Sequence, residues 1–232
     1  MVPSPLVTLT VNRYSPRGAW RGWTRMGRDP LHLRRVPGLT FFRLMGTGRG
    51  DDLTLGADFR RWARLAVWTD EASFREFEAS PWRERDRAHL TESGTLLLRP
   101  LRSKGQWGGR EPFGSPTADA PTGPLAVLTR AAIRPTRMRA FWSAVPASQD
   151  GLHAHPGLLL TLGLGDIPLL SQATFSVWRD AASVKAYAYA GAGHREAITR
   201  TRRDGWYSEE LFARFEVLAA EGDGLGLSFP PR

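Results

Sequence analysis

The chain of 232 residues contains no cysteine. Disulfides, thiolate metal sites, iron–sulfur clusters and cysteine nucleophiles are thereby excluded, and a reducing, cytoplasmic setting fits. Lysine is almost as scarce: only Lys104 and Lys185 occur, so 32 − 2 = 30 of the basic residues are arginine. Net charge is +9, but the arginines are spread over both halves and no readout motif accompanies them, so nucleic acid is not an expected partner. The basic balance leaves peripheral contact with an acidic membrane surface open. Long apolar runs are missing too. The longest candidate, Gly157 to Leu170, is interrupted by Gly163, Gly165 and Asp166, short of the roughly 18 residues of a spanning helix. The first residues lack the basic and apolar regions of a signal peptide. No Gly-x-Ser-x-Gly elbow occurs, and Gly46-Thr-Gly-Arg-Gly50 is followed by Asp51-Asp52 rather than by the Lys of a phosphate loop.

What is present is a globular composition, 41% hydrophobic and 10% aromatic, with nine tryptophans. Pro5–Asn12 alternates as a strand, Gly18–Arg35 reads as a helix, and Gly38–Met45 and Arg64–Trp68 read as strands. Asp70–His89 reads as a second helix capped by Asp70 or Thr69, and Thr95–Leu101 as a fourth strand. That order is β-α-β-β-α-β. Arg102–Gly123, rich in Gly, Pro and small polar residues, reads as a linker. The order then returns. Pro124–Thr129 echoes Pro5–Thr10 (124 − 5 = 119), Pro156-Gly-Leu echoes Pro37-Gly-Leu (156 − 37 = 119), and Val177–Ser183 echoes Val67–Ser73 (177 − 67 = 110).

The expectation is an α+β protein of two tandem ferredoxin-like halves, 1–101 and 124–232, separated by 102–123. Strands such as GLTFFRLM and PGLLLTLGLG want cover on both faces. Packing the two sheets together would give a pseudo-twofold α/β barrel of the kind two identical subunits make.

The second half carries the feature that the first lacks. After the strand Ala173–Trp178 and an N-cap at Asp180, a helical wheel sets Val184, Tyr187, Gly191, His194 and Ile198 on one face, the face a helix turns to its sheet. Gly191 and Gly193 precede the histidine by less than a turn, and glycine inside a helix costs roughly 0.5–1 kcal/mol against alanine. The glycines leave room for something flat and wide. In the repeat, Phe77, Pro81 and Glu84 stand where the second half has Tyr187, Gly191 and His194. A haem b held by His194 is one reading, since neutral imidazole is a usual ligand to haem iron; a hydrogen-bonded core histidine is the other. His153 and His155 form an H-x-H pair without a carboxylate cluster beside it.

The runs PGLTFFRLMGTGRG, LRSKGQWGGREPF and GPLAVLTRAAIRPTRMRAFWSAVP resemble those of the spheroidene monooxygenase family. So does the C-terminal run from Gln172 to Glu221, with AYAYAGAGHREAI and GWYSEELFARF. The resemblance implies a haem-dependent oxidoreductase that hydroxylates an acyclic carotenoid, with O₂ as oxidant and a ferredoxin-type electron donor. It implies His194 as the axial ligand, with Gly191, Tyr187 and Arg195 around the cofactor. A haem-dependent enzyme of another class, such as a dehydratase or peroxygenase, and a non-enzymatic ligand-binding barrel are the alternatives.

Overall fold

The computed structural model describes residues 5–48, 56–114, 116, 123–149, 151–167, 169–190 and 205–227. Two compact units divide the chain: residues 1–47, 57–100 and 217–232 form the first, and 48–56 and 101–216 the second. The class is α+β, with two ferredoxin-like halves in tandem, as the sequence predicts. In the first half, β1 (Leu6–Tyr14), α1 (Ala19–Leu33), β2 (Leu39–Gly48), β3 (Ala57–Trp68), α2 (Glu71–Glu78), α3 (Pro81–Arg87) and β4 (Leu90–Gly105) follow in order. The second half has β5 (Leu125–Ile133), α4 (Met138–Gln149), β6 (Leu158–Ile167), β7 (Ser171–Trp178), α5 (Ala181–Ala190) and β8 (Tyr207–Gly222). The strand orders are β4-β1-β3-β2 and β6-β7-β5-β8, the antiparallel ferredoxin-like arrangement in each.

The duplication seen in the sequence is carried into the register. Leu6 pairs with Trp68 on β3, and Leu125, 119 residues on, pairs with Trp178 on β7. Even the irregularities match: β1 slips against β4 between Arg13 and Tyr14, and β5 slips against β8 between Ala132 and Ile133. Each helix-to-sheet core is assembled from equivalent positions. Leu6, Leu33, Trp68, Phe74 and Phe77 pack together in the first unit; Leu125, Leu152, Trp178, Val184 and Tyr187 do so in the second.

Several element bounds differ from expectation. The helix expected over 70–89 is two helices. Asp70 caps α2, its Oδ1 accepting from the Ser73 N–H at 2.8 Å, and Ser80 then caps α3, whose first residue is Pro81. Proline lacks the N–H an interior helical position needs but suits the first turn, so the chain stops and restarts there. The strands outrun their predicted ends: β2 runs on to Gly48, β3 begins at Ala57 and β4 reaches Gly105. Past the end of β4, Trp107 and Phe113 are buried, Phe113 edge-on to Phe215 with centroids 5.0 Å apart. No helix among the described residues is long and apolar enough to cross a membrane.

Candidate functional site

The start of the α5 helix is fixed by short-range chemistry. Asp180 Oδ1 accepts from the Ser183 N–H at 2.7 Å, and that hydrogen bond holds the carboxyl below its usual range. The mouth of β6 presses on this cap: a Cβ at Gly157 would lie 2.2 Å from Ser183 Oγ. The Arg179 N–H bonds back to the Gly157 carbonyl at 2.8 Å. One turn along, Tyr187 lies half-buried against Trp178, ring centroids 5.2 Å apart, and edge-on to His155 at 6.3 Å. His155 is committed to this packing, and its Nδ1 accepts from the Gly157 N–H at 3.1 Å. The H-x-H pair therefore gathers no metal site, and no group of three or more His, Asp or Glu does so among the described residues. Of the predicted site residues, Tyr187 stands in the core at the base of α5. Gly191, His194 and Arg195 lie outside the described residues.

The strands show what α5 faces. Trp178 and Leu125 share a core cluster with Val184 and Tyr187 of α5, so alternation assigns Val127, Thr129, Ser176 and Thr174 to the same side. Their first-half equivalents are Thr8, Thr10, Ala66 and Arg64, all buried. In the first half this side is filled. Phe42 and Leu44 of β2 pack into the core cluster. The Arg64 guanidinium pairs with Glu78 at 2.9 Å, and Arg83 of α3 reaches Glu78 at 2.9 Å and Asp86 at 2.7 Å.

In the second half the same side carries smaller residues. Thr161 and Gly163 replace Phe42 and Leu44, Thr174 replaces Arg64, and the sequence has Gly193 where Arg83 stands. The clearest reading comes from one pair of threonines at the centre of a central strand. Thr10 is 0% exposed and hydrogen-bonded to Thr95 at 3.0 Å, whereas Thr129 is exposed. Its neighbour on β8, Phe212, is 36% exposed.

Two polar atoms on this side are buried without a hydrogen-bond partner among the described residues: Thr161 Oγ1 and Arg214 Nε. Arg214 faces the same way, since it pairs with Val127, and its guanidinium lies 5.4 Å from the Phe212 ring centroid. A buried polar atom left unpaired costs about 1–3 kcal/mol, and Arg64 Nε, on the corresponding side of the first half, is likewise without a partner among the described residues. Sequence reasoning considered Arg195 and missed Arg214. The signal was available: Gly222 ends β8 as Gly105 ends β4 (222 − 105 = 117), and this offset sets Arg214 opposite Leu97 of the first half.

A second polar cluster sits on the other side of the β5 strand. Arg130, 5% exposed, pairs with Glu209, bonds Ser171 Oγ through Nη2 at 2.9 Å and lies over the Trp107 ring. Glu209 also accepts from the Gly108 and Gly109 N–H groups at 2.8 and 2.7 Å. Both glycines have positive φ, 64° and 70°, which lets consecutive N–H groups converge on one carboxylate. Burial would raise the Glu209 carboxyl, but those N–H groups and Arg130 outweigh it and hold it below the usual range. Trp107 Nε1 donates to Asp166 at 2.8 Å. This cluster pins the stretch GlnTrpGlyGlyArg to its unit.

Two ferredoxin-like halves in one chain, the first with large side chains on its helix-facing side and the second with small ones, define a duplicated α+β fold. Over 92% of this chain and 81% of the other, the fold is shared with aldoxime dehydratase at a TM-score of 0.62 and 13% identity. A second aldoxime dehydratase, in complex with butyraldoxime, gives 0.61 over 92% of this chain and 79% of that one, at 12% identity. No family profile matches the chain. Full-length sequence comparison does. The chain is 40% identical to the spheroidene monooxygenase of Rhodobacter capsulatus over 87% of its own length and 84% of the relative's. It is 39% identical to that of Rubrivivax gelatinosus, over 94% and 83%, and 34% identical to that of Cereibacter sphaeroides, over 93% and 68%. The protein belongs to the spheroidene monooxygenase family and is an oxidoreductase, a monooxygenase.

Proposed function

We propose that the chain is a haem-dependent monooxygenase acting on an acyclic carotenoid or a similarly long apolar substrate, with O₂ as oxidant and a reduced ferredoxin as donor. The observation that carries the cofactor reading is the set of small residues on the α5 side of the second half-sheet, Thr161, Gly163 and Thr174, set against Phe42, Leu44 and Arg64 in the first. The residues present fit haem b: glycine and threonine on the α5 side for a flat ring, a half-buried Arg214 for a carboxylate, and a histidine, His194, four residues after the end of α5 in sequence. Neutral imidazole suits haem iron, and the chain offers no thiolate. His194 is the ligand in this reading, Gly191 leaves the approach to it open, and Arg195 and Arg214 are the candidates for the propionates, with charge-assisted hydrogen bonds. Tyr187 supports the helix through Trp178. When bound, haem supplies the activation of O₂.

In each turnover one C–H bond becomes C–OH, one O₂ and two protons are consumed, two donors each lose one electron, and one water leaves. A second hydroxylation of the same carbon gives a geminal diol, which loses water to a ketone. The family's name directs the first substrate to try, spheroidene. Ferredoxin dependence and the lack of cysteine fit the cytoplasm. The test is incubation with spheroidene, reduced ferredoxin and ¹⁸O₂. The hydroxylated product should carry ¹⁸O and require the donor; product formed without the donor, or with oxygen from water alone, overturns the reading.

A further inference from the structure

The α1 helix presents its apolar side chains outward. Trp20, Trp23 and Leu31 are 58, 55 and 66% exposed. At 100° per residue they fall within an arc of about 80°. The opposite face is the one that packs: Gly22 and Leu33 are buried, Met26 and Asp29 half-buried, and a Cβ at Gly22 would lie 2.2 Å from Trp62 Nε1. The core already owns its side of α1, so packing within the unit does not account for the outward stripe. Phe59, 49% exposed, extends the stripe by stacking on Trp23 with centroids 5.5 Å apart.

The flanks of the stripe are basic. Arg17, Arg21, Arg28 and Arg34 are exposed, and the Arg21 guanidinium lies 5.1 Å from the Trp20 ring centroid. Between Pro16 and Arg35 the sole carboxylate is Asp29, on the inward face and held by Arg25 at 3.0 Å. Beside the stripe runs a groove of about 600 Å³, whose lining includes Arg21, Arg28, Arg35, Arg85 and Trp82. Its acids, Asp29 and Asp86, are both paired with Arg25.

We propose that this face of α1 docks the protein on an anionic lipid surface. Trp20, Trp23 and Leu31 would enter the interfacial layer, and the arginines would meet lipid phosphates there and in the groove. Indoles favour the headgroup level, and arginine stems lie along apolar surface while their guanidinium groups reach phosphate. An outward stripe of Trp and Leu between arginines, without an acid, is the pattern of a helix that lies in the interface plane. An acidic protein partner would use the arginines but leave the stripe without a role. The inference stands independently of the cofactor reading.

The test is co-sedimentation of the full chain with vesicles of phosphatidylcholine, alone or mixed with phosphatidylglycerol. The parent should pellet with the mixed vesicles, be released by high salt, and show blue-shifted tryptophan emission on binding. The variant Trp20→Ser/Trp23→Ser/Leu31→Ser should stay in the supernatant while keeping a cooperative melt, because these side chains are more than half exposed. Arg21→Gln/Arg28→Gln should weaken binding by roughly 10- to 30-fold. A parent that ignores both kinds of vesicle, or a triple variant that pellets as the parent does, overturns the proposal. Parent binding indifferent to salt and to phosphatidylglycerol overturns it as well.

Discussion

Arg83 is 1% exposed and divides its guanidinium between Glu78 and Asp86. Asp86 also accepts from the Tyr14 hydroxyl at 2.9 Å and pairs with Arg25. Such a network is expensive to break from one side, because the remaining charges stay buried. Arg83→Ala should destabilise the protein by about 3–5 kcal/mol in urea unfolding; a loss below about 1 kcal/mol would show the cluster to be wet. Glu209 behaves differently. Its folded carboxyl lies below the usual carboxylate range, so its contribution is complete above the unfolded pKa and is lost as pH falls through the folded one. The melting temperature of the parent should therefore exceed that of Glu209→Gln at neutral pH, and the gap should close on acidification below about pH 4. A gap that widens with acid would contradict the assignment.

At the scale of elements, the same cap is built twice. Asp70 and Asp180 cap α2 and α5, and Gly38 and Gly157 make room for Ser73 and Ser183. Gly157→Ala would drive a Cβ to within 2.2 Å of Ser183 Oγ and 2.4 Å of its Cβ. The variant should lose roughly 1–3 kcal/mol, and adding Ser183→Gly should restore most of it in the same melts. The hollow side admits the opposite experiment. Gly163→Leu installs the residue that Leu44 supplies in the first half, so it should abolish haemin uptake without lowering thermal stability. Undiminished uptake would mean that the hollow is not where the ligand lies.

The duplicated plan was legible in the sequence because strands and caps repeat at fixed offsets, and offsets survive where packing constrains both copies. The break at Ser80-Pro81 was also legible, yet apolar periodicity through Phe74, Phe77 and Trp82 masked it. The filling of one side and the emptying of the other was not. It depends on which residues of four strands meet in a row, such as Thr129 beside Thr174 and Phe212, and those lie far apart in sequence.

At the scale of the molecule, duplication has let one chain divide its labour. The first half spends its interior on an ionic cluster beneath α2 and α3 and turns an apolar stripe outward on α1. The second keeps the same sheet and the same caps but withdraws the large side chains beneath α5. The family assignment rests on 34–40% identity over most of the chain.

The central claim, that haem is held over this half-sheet through His194, is tested most directly by titrating the purified protein with haemin and recording the absorption spectrum beside His194→Ala. The parent should develop a sharp Soret band at one haem per chain. The variant should lose or shift it, and added imidazole should restore it, which a misfolded variant could not do. A parent without a Soret band, or a variant with the parent's spectrum, would contradict the account.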